Sequence, residues 1–180
     1  MSSWRLRCHT VSRAAPGRRW RTWIRAIREK QVAAGREDIL ANPDKAGART
    51  LAGKCFCGAV CYEVADEFVY AANCHCSNCR RTTGSAFKSF AGIERDKFRL
   101  TAGDGKLLIY GDVSGHDAHC GQCGSLLYSL VREGAYVHVA MGTLMDDPSV
   151  RPNAHIFVGS KASWFTITDD LPQYREHVTG

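Results

Sequence analysis

The sequence predicts a mainly β domain of antiparallel sheets with a few short helical turns, preceded by a basic extension. Three observations predict it. From Leu51 onward, short segments of alternating apolar and polar residues recur between clusters of turn-forming residues. Seven of the nine cysteines fall into three tight groups within that same region. The positive charge lies elsewhere: residues 1–50 carry a net +8 and residues 51–180 a net −2, within the total of +6.

The extension comes first. Residues 1–50 hold ten arginines and three tryptophans, with no strand-like alternation. Trp20, Trp23, Ile24 and Ile27 stand at helical spacing among Arg18, Arg19, Arg21, Arg25 and Arg28. That basic, amphipathic pattern suits an anionic membrane surface or an organelle-targeting segment. The plainer expectation is a disordered tail, with membrane contact only if the tail belongs to the working protein. Asn42-Pro43 and Gly47 mark a linker, and the folded domain is expected over residues 51–178.

The strands follow in order. Residues 59–64 alternate, with Val60, Tyr62 and Val64 on one face. Residues 69–75, 87–93, 106–110, 126–130, 136–141 and 155–158 are the other expected strands. Gly84-Ser85, the run 102–105, Ser114-Gly115 and the run 132–134 supply the turns between them. Helical turns are expected only around residues 77–83 and 94–98. No run of eighteen apolar residues spans a membrane, and no apolar run follows the start as a secretory signal requires. A cytoplasmic setting is the expectation. The slightly acidic domain argues against nucleic acid as a partner.

The cysteines carry the chemistry. They group as Cys55/Cys57, as Cys74/Cys76/Cys79, and as Cys120/Cys123. An odd number of clustered thiols in a reducing compartment fits disulfides poorly. Thiolates at C-x-C and C-x-x-C spacing fit zinc well. Seven ligands divide as four plus three. Cys55 and Cys57 need a second pair, and Cys120/Cys123 is the obvious donor, giving a closed structural site. Cys74 and Cys76 share one strand face, and Cys79 follows in the turn. Three ligands leave a position open, as catalytic zinc requires. His75 points to the other face and is not expected to be a ligand. Cys61 is expected to be a small buried residue, and Cys8 lies in the tail.

These motifs resemble the glutathione-dependent formaldehyde-activating enzyme family. The resemblance rests on residues 53–60, 74–80, 83–87, 120–124 and 152–164, in order. It implies an Mss4-like (β-tent) fold held by two zincs. The structural zinc would take Cys55, Cys57, Cys120 and Cys123, and the catalytic zinc Cys74, Cys76 and Cys79. It also implies carbon–sulfur lyase activity: the reversible joining of glutathione, as co-substrate, with formaldehyde. The partners would be a small-molecule thiol and an aldehyde. For the carboxylates of such a thiol, Arg80 and Lys88 are the leading cations, with Arg81 and Lys161 nearby. His119 and His155 are candidates for the proton transfer, and Phe87 and Trp164 for walls of the pocket. The competing reading is a zinc-stabilised binding module without catalysis.

Overall fold

The computed structural model describes residues 49–178. The expectations for the basic extension, its amphipathic stretch, its linker and Cys8 lie outside the described residues.

Ten strands build two sheets. The smaller contains β1 (Thr50–Lys54), β2 (Cys61–Ala65) and β5 (Phe98–Ala102), antiparallel in the order β1-β2-β5. The larger contains β3 (Tyr70–Cys74), β4 (Lys88–Glu94), β6 (Leu107–Gly111), β7 (His116–Cys120), β8 (Leu126–Val131), β9 (Tyr136–Ala140) and β10 (His155–Ile156). Its order is β10-β3-β4-β9-β8-β7-β6. Among the described residues one α-helix, α1 (Ser77–Thr83), follows β3. The expected turn around residues 94–98 is a single 3₁₀ turn, Arg95–Lys97.

Two differences from the expected architecture stand out. The large sheet is not wholly antiparallel, because β10 pairs with β3 in parallel. Strands β1, β5 and β7 are additional to the expected ones; β1 and β7 carry no clear apolar alternation, whereas Phe98, Leu100 and Ala102 of β5 do alternate with Arg99 and Thr101. In β1 the inward residues are Leu51 and Gly53. The space that a side chain at Gly53 would fill is taken by the Tyr62 ring, 2.0 Å from where a Cβ would stand. In β7 the inward residues are His116, Ala118 and Cys120, which do not read as an apolar face.

The main core lies between the two sheets. Val60, Tyr62, Val64, Leu51 and Phe98 from the small sheet meet Ile93, Val137, Val139, Tyr128 and Leu130 from the large one. A second cluster, on the opposite face of the large sheet, joins Ala72, Cys74, Phe90, Ala154 and Ile156. Strand alternation explains the separation: Phe90 and Ala72 are register partners on one face, and Ile93 and Val137 on the other. The last part of the chain straps this second cluster. His155 N–H donates to Pro172 O and Tyr174 N–H to His155 O, both at 2.8 Å. No described helix is long and apolar enough to cross a membrane.

Candidate metal centres and the adjoining cleft

The first cysteine group is assembled from two turns far apart in sequence. The turn after β1 carries Cys55 and Cys57, while Cys120 ends β7 and Cys123 lies in the turn that leads to β8. Their four sulfurs lie within 4.8 Å of one another. Cys55 and Cys57 Sγ are 3.6 Å apart, and Cys57 and Cys120 Sγ are 3.8 Å apart. A zinc–sulfur tetrahedron of about 2.3 Å radius has edges of roughly 3.8 Å, whereas a disulfide needs about 2.05 Å. The donor set and spacing therefore fit a tetrahedral thiolate metal, and the cysteines are free. Gly58 and Gly124 close the two turns at φ +72° and +77°, a left-handed conformation that glycine adopts without strain. Val60 N–H donates to Cys55 Sγ at 3.3 Å. The hydroxyl of Ser125, 3.3 Å from Cys123 Sγ, leads the interactions that hold the Cys123 thiol down to about 5.

The second group is local. Cys74 ends β3, Cys76 caps the N-terminus of α1, and Cys79 lies in its first turn. Cys79 N–H donates to Cys76 Sγ at 3.3 Å. The three sulfurs lie within 4.8 Å of one another, and among the described residues no fourth His, Cys, Asp or Glu joins them. The Cys74 thiol, followed by burial, raises the pKa of Cys79. Three thiols this close resist full ionisation until a cation joins them, so this donor set also fits a soft divalent metal.

The residues around this group divide between the two faces of the sheet. His75 is fully buried, its Nε2 2.7 Å from His155 Nδ1, while His155 Nε2 reaches Asp169 at 3.0 Å. The Asp169 carboxylate can only accept, so His155 Nε2 carries a proton and donates to it. Burial first, then the charges of His155, Lys161 and Arg80, holds the His75 pKa at about 4. Its Nδ1 has no hydrogen-bond partner among the described residues. Phe87 and Phe165 pack against this ring at 5.2 and 5.9 Å.

Lys88 lies on the cysteine face. It is the register partner of Cys74 and is only 4% exposed. Its Nζ donates to Ser129 Oγ at 2.5 Å, and the Ser129 hydroxyl donates to Asp117. Thr82 Oγ1, from α1, lies 3.1 Å from Asp117 Oδ2 and 3.1 Å from His119 Nε2. His119 Nδ1 lies 3.1 Å from Gly124 O, which can only accept, so it carries a proton. Burial lowers the Lys88 pKa, against the opposing pull of Cys79, Asp117, Cys74 and Cys76. A cleft of about 590 Å³ opens beside this chain of bonds, lined by Thr82, Phe87, Lys88, Cys123, Ser125 and Thr143 among others. It runs from α1 to the four-cysteine turn.

The remaining candidates are placed variously. Arg80 Nε donates to His75 O at 3.3 Å, and its terminal nitrogens have no partner among the described residues. Arg81 bonds Ser77 and Asn78 on its own helix. The Lys161 ammonium is bound to the carbonyls of Ala162 and Phe165. Trp164 is 73% exposed and is not among the residues that line the cleft, while Phe165, its neighbour, packs against His75. Cys61 is half-buried, not buried, because its alternating partners Val60 and Tyr62 take the inward positions of that segment. Asp117, Ser129 and Thr82 were not singled out from the sequence. Their one signal is positional: Asp117 and Ser129 are register partners on the face that carries Lys88.

A model of the family described as glutathione-dependent formaldehyde-activating enzyme matches residues 50–160. No curated protein matches the chain. The crystal structure of a Rhodobacter sphaeroides protein is similar at 29% identity, over 56% of this chain and 91% of that one, with a TM-score of 0.45. The family match spans more than half of the sequence and takes in both cysteine groups, so the chain belongs to the glutathione-dependent formaldehyde-activating enzyme family.

Proposed function

We propose that this protein is a zinc-dependent carbon–sulfur lyase acting on glutathione–aldehyde adducts, of the S-hydroxymethylglutathione synthase type. The observation that carries the reading is the group Cys74, Cys76 and Cys79: three converging thiols and no fourth protein donor among the described residues. Cys55, Cys57, Cys120 and Cys123 would hold a structural zinc, and the group of three a catalytic one. When bound there, zinc supplies an open position that favours a thiol in its thiolate form.

In the forward direction the sulfur of glutathione forms a bond to the aldehyde carbon. The carbonyl π bond breaks, and the thiol proton ends on the new hydroxyl. In reverse the carbon–sulfur bond breaks and the proton returns. The chain's own part is to bring thiol and aldehyde together, which removes much of the entropic barrier to a two-molecule addition. The cleft beside α1 would receive the peptide, with hydroxyls of Thr82, Ser125 and Thr143 for its amides. Arg80, whose terminal nitrogens have no partner among the described residues, would meet a carboxylate. His119, in contact with Thr82 at the edge of the cleft, is the better placed of the two histidines to pass a proton to solvent. His155 is 2% exposed and held by Asp169.

The reading carries a cytoplasmic setting, where thiols stay reduced. It makes residues 51–178 the active unit and residues 1–50 dispensable. The test is direct. Zinc per chain is measured, and adduct formation from ¹³C-formaldehyde and glutathione is followed by NMR. Two zincs and a rate above the uncatalysed one are expected, with loss of rate on Cys76→Ser. Two zincs with no acceleration would favour the binding-module reading.

A further inference from the structure

The ammonium of Lys88 is a buried charge whose direct partner is neutral. Among the described residues its hydrogen bond goes to Ser129, a hydroxyl, and Asp117 is reached only through that hydroxyl. A buried cation without an adjacent anion is strongly unfavourable. The anions available to it are the sulfurs of Cys74, Cys76 and Cys79. Cys74 is its cross-strand partner on the same sheet face, and all three interact with it electrostatically. Among the described residues no buried lysine or arginine stands beside the four-cysteine group in this way.

The charges then balance. Three thiolates around a divalent metal carry a net −1, which one ammonium cancels. A fourth, anionic ligand can enter such a site without leaving two uncompensated negative charges in a buried place. Asp117 sets the limit: it fixes the ammonium through Ser129 and takes back part of its field.

We propose that Lys88 is the counter-charge of the Cys74/Cys76/Cys79 site, there to let it hold a metal and admit an anionic thiolate as fourth ligand. The thiolate ligand rests on the lyase reading above; the metal retention does not.

The test uses the full chain loaded with Zn²⁺, with Lys88→Met and Asp117→Asn as variants. Asn at 117 still accepts from Ser129 and can donate to Thr82, so the hydrogen bonds survive while the negative charge goes. Two quantities are read: zinc release from the second site to a chromophoric chelator, and glutathione affinity by calorimetry. Lys88→Met is expected to weaken both by roughly tenfold to a hundredfold, the scale of one close charge at intermediate dielectric. Asp117→Asn is expected to tighten both. Release from the four-cysteine site should be the same in all three proteins. A role in packing alone would loosen zinc in both variants, so opposite signs support the counter-charge. Equal retention in Lys88→Met and wild type overturns it. If Lys88→Met does not fold, Asp117→Asn decides: zinc held no more tightly than in wild type overturns the proposal. Wild type that holds two zincs but neither binds glutathione nor turns over would defeat the lyase reading alone.

Discussion

Replacing Cys120 should unfold this domain, while replacing Cys76 should not. Cys120 is fully buried and joins a group whose halves lie on either side of a long segment; Cys57 and Cys120 are 63 residues apart. A cross-link closing a loop of that length removes about 4 kcal/mol of denatured-state entropy by the chain-closure relation. A domain has only about 5–15 kcal/mol of net stability. Serine at 120 also puts a poorly ligating hydroxyl into the core that contains Ala118, Leu127 and Tyr128. Cys76, by contrast, closes only the short segment from Cys74 to Cys79, which β3 and α1 already order. Its loss should remove about 1 kcal/mol, the worth of a helix cap. The assay is urea unfolding followed by circular dichroism on zinc-loaded protein, with both serine variants beside wild type. Equal midpoints for the two variants, in either direction, would refute the division into a structural and a reactive site.

Three other substitutions probe the surroundings. Asp66 is the acceptor for both the backbone N–H and the hydroxyl of Ser149, at 3.0 Å each, and for Arg49 at 3.3 Å. Asp66→Ala should therefore lose roughly 2 kcal/mol in urea unfolding and expose the loop after Asp146 to limited proteolysis. Tyr62→Phe removes the 2.7 Å bond to Thr143 while leaving the ring against Phe98, so a loss near 1 kcal/mol is expected by the same measurement. His138 is held down to about 3 by burial, with Lys88 and Arg132 adding to it. A histidine whose folded pKa is lowered gives stability above its unfolded value near 6.5 and loses it as pH falls towards the folded value. Between pH 7 and 5, wild type should thus lose on the order of 1 kcal/mol more than His138→Phe, and a constant difference would contradict this.

Much of the site was legible because metal binding leaves a local mark. C-x-C and C-x-x-C spacing reflects the reach of one turn, and the sulfurs do gather as four and three; the expected shared strand face of Cys74 and Cys76 is not what gathers them, because β3 ends at Cys74 and Cys76 caps α1. The inward face Val60, Tyr62 and Val64 was legible from strand alternation. What stayed hidden depends on register between distant strands. Nothing in the segment His116–Cys120 says that Asp117 will stand opposite Ser129, or that Ser129 will receive the ammonium of Lys88. The sequence offers Lys88 as a cation for a substrate carboxylate, and nothing in its neighbours announces that it is buried beside Cys74. The parallel pairing of β10 was likewise out of reach, since two residues at His155–Ile156 carry no periodicity. Trp164 and Phe165 are neighbouring aromatics, and the sequence does not say that the turn closed by Phe165 N–H to Ala162 O leaves Phe165 against His75 and Trp164 exposed.

The strap that lays β10 along β3 also sets an order of assembly. Strand β3 carries Cys74, and its outer edge is covered by residues 155–156, themselves tied down by residues 172–176. During synthesis the cysteines of both groups emerge first, with that edge unpaired and able to pair wrongly. The strand that presents Cys74 is completed on both sides only when almost the whole chain has left the ribosome. The four-cysteine group has all its sulfurs by Cys123 and its turn is closed by Gly124 and Ser125, so it can assemble before residues 155–176 are made. A chain halted after Ser125 has cleared the ribosome and before β10 has done so would thus be able to take up one metal ion, with its second set of thiols still open to the solvent.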